Sequence, residues 1–175
     1  TTPFVVLSWG LLCFATPSTE AQLIEVSTLN MLAAPLKGIG QVMFLGHPLA
    51  GAMIAAGLLI ADRRAFCWAL LASVAGMGWS LLHHDFYTAL LGLGGYNAVL
   101  AALAFSTQRQ QPWLPLLGIA AALLLTPMFS AIGLPTLTAP FILAGWLIRT
   151  AAQVLGKARG ASASCAPGEN QPRLR

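Results

Sequence analysis

Long uncharged intervals separate the charged residues of this chain. They lie between Lys37 and Asp62, Arg64 and Asp85, Asp85 and Arg109, and Arg109 and Arg149. Each holds roughly the 20 residues that a helix needs to cross a bilayer, and the last is long enough for two crossings. The chain is 57% hydrophobic and 8% charged, with a mean hydropathy of +0.76, which leaves too few polar side chains to cover a soluble domain. These features predict an all-α integral membrane protein.

Helix-breaking residues divide the uncharged intervals into segments. Membrane helices are predicted near residues 1–15, 47–62, 65–82, 94–107, 113–131 and 136–152. Two further segments, 28–45 and 86–93, are apolar but rich in glycine or short, and are candidates for entering the bilayer without crossing it. Such half-crossing backbone is tolerated only where it is buried in protein or lines a pore.

Basic residues near helix ends favour the cytoplasmic side of a membrane. The tail carries Lys157, Arg159, Arg173 and Arg175, so the carboxyl terminus is predicted to be cytoplasmic. Counting back through five crossings places Arg109 and the pair at 63–64 on the same side. It places the acidic segment 16–30 outside. Lys37 is the one basic residue that does not fit this scheme.

A short motif occurs twice, as TTPFVVLSW at positions 1–9 and as TAPFILAGW at positions 138–146. Thr1, Pro3, Phe4 and Trp9 recur as Thr138, Pro140, Phe141 and Trp146. Five intervening crossings make the two copies antiparallel, which is the pattern of an inverted-topology repeat whose binding site lies near the membrane midplane. We therefore expect the chain to comprise the carboxyl-terminal half of a two-repeat protein and the last helix of the preceding half.

Three uncharged polar residues lie in apolar surroundings. They are Gln41 in LKGIGQVMF, Asn97 in GLGGYNAVL and Thr138 in GLPTLTAPF. Each must find a hydrogen-bond partner, either on another helix or on a permeating molecule. Glycines beside Gln41 and prolines around Thr138 interrupt helical hydrogen bonding and free carbonyl groups, which suits a neutral ligand rich in N–H donors.

These three motifs, in this order and spacing, resemble the second half of urea transporters, with TTPFVVLSW resembling the close of the first half. The resemblance runs from about residue 36 to about residue 146. It implies one half of an inverted-repeat urea-channel fold, with five transmembrane helices and a re-entrant pore helix per half. It also implies a pore within each protomer, assembly as a homotrimer, and passive, selective permeation of urea across the inner (plasma) membrane, with no cofactor.

The resemblance also assigns roles to individual residues. Gln41 resembles the pore glutamine that binds urea near one mouth, and Phe44 an aromatic wall of the slot that holds the flat solute. Thr138 resembles the threonine at the constricted centre, with Thr1 as its counterpart from the first half. Leu93 resembles a leucine that lines the same slot. Most of the first half is missing from the chain, so its own glutamine and aromatic wall are missing too.

The chemistry of urea explains why such residues suit it. Urea is planar and uncharged, with four N–H donors and one strong acceptor. A slot with apolar faces strips water from its two planes, and edge groups such as an amide, a hydroxyl and free carbonyls replace that water. Each buried donor left unpaired costs roughly 1–3 kcal/mol. Ions are excluded because the slot carries no compensating charge.

Other functions remain open on the sequence alone. A membrane enzyme is conceivable because His83, His84 and Asp85 adjoin one another, but their spacing matches no metal-binding helix motif and predicts solvated histidines instead. These histidines are also candidates for pH control of permeation. Two further alternatives are a channel for another small amide or ammonia, and a fragment that inserts into the membrane without conducting.

The chain is accordingly divided into four parts. Residues 1–15 form the last helix of the first repeat, and residues 16–30 an extracytoplasmic linker. Residues 31–153 form the second repeat, and residues 154–175 a cytoplasmic tail. The tail is rich in Gly, Ala, Ser and Pro, a composition typical of disorder.

Overall fold

A computed structural model describes residues 2–12, 27–108, 111, 113–132 and 137–164. Over these ranges the chain forms eight α-helices and no β-strand. The helices are α1 (Thr2–Leu12), α2 (Thr28–Gln41), α3 (Pro48–Ala61), α4 (Arg63–Leu82), α5 (Phe86–Leu91), α6 (Tyr96–Ser106), α7 (Leu114–Ala131) and α8 (Ala139–Ser164).

These helices coincide with the predicted segments to within a few residues, with one exception. Helix α8 continues to Ser164, whereas a disordered tail was predicted to begin at residue 154. No proline interrupts residues 141–164, so nothing in this stretch forces the helix to end earlier. The short helix α5 and the glycine-rich helix α2 occupy the two segments predicted to enter the bilayer without crossing it.

Length and composition single out α4. Among the described residues, Arg63–Leu82 is the one helix both long enough and apolar enough to cross a membrane. Four shorter apolar helices accompany it: Pro48–Ala61, Tyr96–Ser106, Leu114–Phe129 and Ala139–Val154. That these four helices cross the membrane, and that α2 or α5 enters it without crossing, stay predictions.

Side-chain and proline caps fix where several helices start. His47 precedes α3, whose first residue is Pro48, and its Nδ1 accepts a hydrogen bond from the backbone N–H of Leu49 at 3.3 Å. Asp62 caps α4 in the same way. Asp85 caps α5 by accepting from the N–H of Thr88 at 3.0 Å. These residues satisfy N–H groups that the first turn of a helix leaves unpaired.

The core is built mainly from small side chains where α4, α6 and α7 meet. Ala69 and Ala72 of α4 are fully buried against Ala98 and Ala102 of α6, with Ile119 of α7 closing the cluster. Small residues let helix backbones approach closely, which is how helices associate where no water is present to drive them together. This packing holds α4 and α6 on either side of the connection that carries the candidate site.

Candidate functional site

The candidate site is centred on the non-helical connection between α5 and α6, residues 92–95, which packs into a groove of small residues on α4. A Cβ atom added to Gly76 would lie 2.2 Å from the Cα of Gly95, and one added to Gly94 would lie 2.0 Å from the Oγ of Ser80. No larger side chain fits at this contact. The connection is thus irregular backbone buried within the protein, as required of such backbone in apolar surroundings.

Helix α2 holds the carboxyl end of α5 on the opposite side. Gln41 donates a hydrogen bond from Nε2 to the carbonyl of Leu91 at 3.3 Å, and Lys37, one turn earlier, donates from Nζ to the carbonyl of Leu90 at 3.4 Å. Carbonyls in the last turn of a helix have no partner within it, so these two side chains supply one. The Gln41 Oε1 makes no hydrogen bond among the described residues, so it is available as an acceptor.

Phe44 is placed by an unusual end to α2. The N–H of Leu45 bonds to the carbonyl of Gly40, and the N–H of Phe44 to that of Gln41, which together form a Schellman motif. Phe44 occupies the left-handed position of this motif, at φ 57°, where glycine is the usual residue. The ring is exposed over 66% of its surface. This turn therefore presents an aromatic side chain three residues after Gln41 at a conformational cost.

The same motif ends α4 and α5. His84 takes the left-handed position after α4 at φ 58°, and Gly92 takes it after α5 at φ 74°. Gly92 also meets α2 directly, because a Cβ atom there would lie 2.4 Å from the backbone N of Gly38. Glycine is therefore required at position 92 both by the backbone angle and by the contact.

Thr138 begins the segment that meets the connection from the α8 side. The preceding residue, Leu137, has a φ of 36°, and its carbonyl accepts hydrogen bonds from the Tyr96 hydroxyl and from Asn97 Nδ2, the latter at 2.9 Å. The Oγ1 of Thr138 is buried and has no hydrogen-bond partner among the described residues, and the same holds for Oδ1 of Asn97. Two unpaired buried oxygens thus lie at the point where α6 meets the start of α8.

A cavity of about 420 Å³ opens beside the connection. Its lining includes Leu93, Tyr96 and Leu137, together with polar side chains from α4, α5, α7 and the connection between α4 and α5: Ser80, His83, Asp85, Thr88 and Thr126. His83 stacks on Trp79, another lining residue, with ring centroids 4.7 Å apart. Gln41, Phe44 and Thr138 do not line this cavity. It therefore adjoins the site on the Leu93 side rather than enclosing all the predicted residues.

The structure thus relates three of the five predicted site residues to the stretch of chain from residue 91 to residue 97. Gln41 binds the end of α5, Leu93 lies in the connection, and Thr138 follows the residue bound by α6. Phe44 lies in the turn that follows Gln41. Thr1 lies outside the described residues. Sequence reasoning did not single out Ser80, Thr88 or Thr126, because no motif links positions that only tertiary packing brings together.

No group of three or more His, Cys, Asp or Glu side chains suited to a metal ion occurs in the described ranges. His83 and Asp85 both line the cavity. Yet His83 Nδ1 lies 2.9 Å from the Trp79 carbonyl, and Asp85 caps α5. Both side chains thus have local structural partners.

The fold and site together define an all-helical protein. Helices α2 and α5 end beside the glycine-rich connection at residues 92–95, and isolated polar groups surround this connection. The chain matches the urea transporter family over residues 1–153 and belongs to that family. The family is one of membrane-integral proteins.

Individual relatives agree with this assignment. The chain is 32% identical over 121 residues to urea transporter 1 of Rattus norvegicus, and 31% identical over 121 residues to urea transporter 1 of Mus musculus. It is 31% identical over 125 residues to urea transporter 1 of Ovis aries. Each match covers 62% of this chain and 32% of the relative, so the chain spans about a third of the length of the curated relatives it matches.

Proposed function

We propose that the protein containing this chain conducts urea passively across the plasma (inner) membrane, and that Gln41, Phe44, Leu93 and Thr138 contribute this chain's side of a narrow slot. One observation carries the proposal. The amide of Gln41 binds the carbonyl of Leu91 just before the connection, and Asn97 just after it binds the carbonyl of Leu137, next to Thr138, whose buried hydroxyl has no partner among the described residues. Membership of the urea transporter family supports the same substrate.

The hydrogen-bonding pattern of these groups suits urea. The free Oε1 of Gln41 accepts from a urea N–H group, and the Thr138 hydroxyl both donates and accepts. A buried oxygen without a partner costs roughly 1–3 kcal/mol, and a passing solute with N–H donors recovers that free energy while it is bound. Binding of this kind is weak, so the solute also leaves readily and transport stays downhill.

The apolar groups complete the slot. The ring of Phe44, exposed on the turn after Gln41, and the side chain of Leu93, 37% exposed, offer flat and aliphatic surfaces for the two faces of the solute. Stripping water from the faces while replacing it at the edges favours a planar molecule of this size. A small amide shares this pattern in part, and ammonia lacks the planar faces, so both serve as comparison solutes.

An inverted repeat, a homotrimer and a cytoplasmic carboxyl terminus complete the proposed arrangement. The two copies of the repeated motif start α1 and α8, and their tryptophans, Trp9 and Trp146, line a common apolar cavity of about 270 Å³. Two halves related by a pseudo-two-fold axis must contact each other along that axis, and the contact between the two motif copies agrees with this requirement. Thr1 is proposed to face the pore there as the counterpart of Thr138.

Stopped-flow light scattering tests the proposal. The complete natural protein that contains this chain is reconstituted into liposomes, and the vesicles are mixed with an inward urea gradient. We expect urea influx well above that of bare lipid, and a large loss in Gln41→Ala. Gln153→Ala, which removes an exposed amide on α8, is the matched control and keeps the flux.

The comparison solutes decide between the alternatives. An influx above that of bare lipid that is faster for acetamide or ammonia than for urea assigns the channel to a different solute. Flux no greater than that of bare lipid for all three solutes, with the protein inserted, contradicts a conducting function.

A further inference from the structure

Lys37 is a half-buried cation inside an apolar segment, and it contacts the candidate site. It lies one helical turn before Gln41 on α2, and the two side chains donate to consecutive carbonyls, those of Leu90 and Leu91. Residues four apart on a helix lie on the same face, about 6 Å apart at their Cβ atoms. The ammonium group is therefore a neighbour of the amide that is proposed to bind the solute.

No carboxylate neutralises this charge in the described part of the chain. The acidic residues there are Asp62 and Asp85, and both accept backbone N–H groups at helix starts, of α4 and α5 respectively. The contact of Lys37 is to a carbonyl oxygen, which carries only a partial charge. Among the described residues the charge of Lys37 is therefore not paired with a carboxylate, and salt screens a half-buried charge less than an exposed one.

We propose that the ammonium group of Lys37 is a specificity determinant that repels cations from the slot, and in particular planar cations with the shape of urea. This inference rests on the proposed function. Shape alone does not separate urea from guanidinium, since both are planar, of similar size and rich in N–H donors. A fixed positive charge rejects guanidinium and leaves neutral urea almost unaffected.

The size of the effect follows from Coulomb's law. With a separation of about 7 Å and an effective dielectric constant near 20, a single fixed charge lowers the occupancy of a monovalent cation about 50-fold. Partial screening by the carbonyl of Leu90 reduces this, so a change of tenfold or more is expected when the charge is removed.

Competition with urea influx measures this selectivity. Urea flux into liposomes carrying the complete natural protein is recorded with increasing guanidinium chloride, against sodium chloride at equal concentration. The variants are Lys37→Gln, which keeps an N–H donor and loses the charge, and Lys37→Arg, which keeps both. The inhibition is normalised to each variant's own uninhibited flux, so that any effect of Lys37 on the position of α5 cancels.

We expect guanidinium to inhibit the Lys37→Gln protein at a concentration at least tenfold lower than it inhibits the natural protein, with Lys37→Arg behaving as the natural protein does. Equal inhibition in all three proteins overturns the inference and leaves Lys37 as a structural contact to α5. So does a gain of inhibition in both variants, because the charge is then not the cause. If Lys37→Gln does not insert, Lys37→Met replaces it and is judged by the same criterion.

The urea flux of the natural protein distinguishes failure of this inference from failure of the proposed function. Absence of urea flux in the natural protein contradicts urea conduction itself. Normal urea flux with charge-independent inhibition contradicts only the role of Lys37.

Discussion

Gly92→Ala tests whether the contact between α5 and α2 shapes the site. Gly92 has a φ of 74°, and an alanine Cβ would lie 2.4 Å from the N of Gly38, 2.8 Å from its Cα and 2.8 Å from the carbonyl carbon of Lys37. All three are backbone atoms, so no side chain can rotate away. The substitution is predicted to push the end of α5 away from α2 and to lengthen the hydrogen bonds made by Lys37 and Gln41.

The magnitude follows from two terms. A left-handed backbone costs a residue with a Cβ atom roughly 1–2 kcal/mol relative to glycine. Forcing a methyl group into a packed contact costs typically about 1–3 kcal/mol. The more restricted unfolded state of alanine returns about 0.4–1 kcal/mol. The free energy of unfolding is therefore expected to fall by roughly 1–5 kcal/mol.

Thermal unfolding of the detergent-solubilised complete protein, followed together with urea flux in liposomes, measures both consequences. Gly78→Ala is the matched control, because Gly78 lies within α4 and a Cβ there meets nothing within 4 Å. We expect a lower unfolding midpoint and a lower urea flux for Gly92→Ala, and neither loss for Gly78→Ala. Equal midpoints and equal fluxes in the two variants would refute the inferred contact.

Three further substitutions address other parts of the site. Phe44→Gly removes the conformational free-energy cost of a non-glycine residue at positive φ, so the unfolding midpoint is expected to stay unchanged or to rise, while urea flux falls. Unchanged flux would show that the Phe44 ring is not part of the slot. Thr138→Val keeps the side-chain volume, removes the buried unpaired hydroxyl and is expected to lower urea flux severalfold, whereas Thr150→Val, which removes an exposed hydroxyl on α8, leaves the flux unchanged. Ser73→Ala removes the 2.7 Å hydrogen bond to the Pro35 carbonyl and is expected to lower the free energy of unfolding by roughly 0.5–1.5 kcal/mol. A thermal unfolding midpoint equal to that of the natural protein contradicts this prediction.

Helix positions were largely predictable, because charges, prolines and glycines mark the ends of the apolar segments. The cluster at 62–64 separates α3 from α4, and the glycine run at 92–95 separates α5 from α6, as the sequence predicted. The carboxyl end of α8 was not predictable. Residues 154–164 have a composition typical of disorder, but they include no proline and are therefore equally compatible with a helix.

The geometry of the site was predictable only in part. The motifs identified Gln41 and Thr138 as polar residues in need of partners. That Gln41 binds Leu91, and that the Thr138 hydroxyl has no partner in the part of the chain that the structure describes, depend on packing between segments about 40 to 50 residues apart. A left-handed Phe44 was also beyond sequence reasoning, because glycine is the usual residue at that position.

Lys37 shows how a misfit in the sequence becomes intelligible in the structure. It broke the predicted pattern of basic residues because that pattern assumes that a lysine faces the water on one side of a membrane. Here its ammonium group contacts the carboxyl end of α5, where Ala89 and Leu90 are buried. The rule describes basic residues in contact with water at a helix end, whereas Lys37 is half-buried and binds a neighbouring helix.

Polar side chains bind the unpaired backbone groups at both ends of α5. These contacts explain how so short a helix persists in apolar surroundings. A helix of six residues does not form on its own, because too few hydrogen bonds offset the ordering of its backbone. Asp85 satisfies an N–H group at its start, and Lys37 and Gln41 satisfy carbonyls at its end. One N–H of the Gln41 amide makes this structural bond, which holds the side chain beside the connection. The contact that stabilises α5 is thus also the contact that positions the amide that we propose binds the solute.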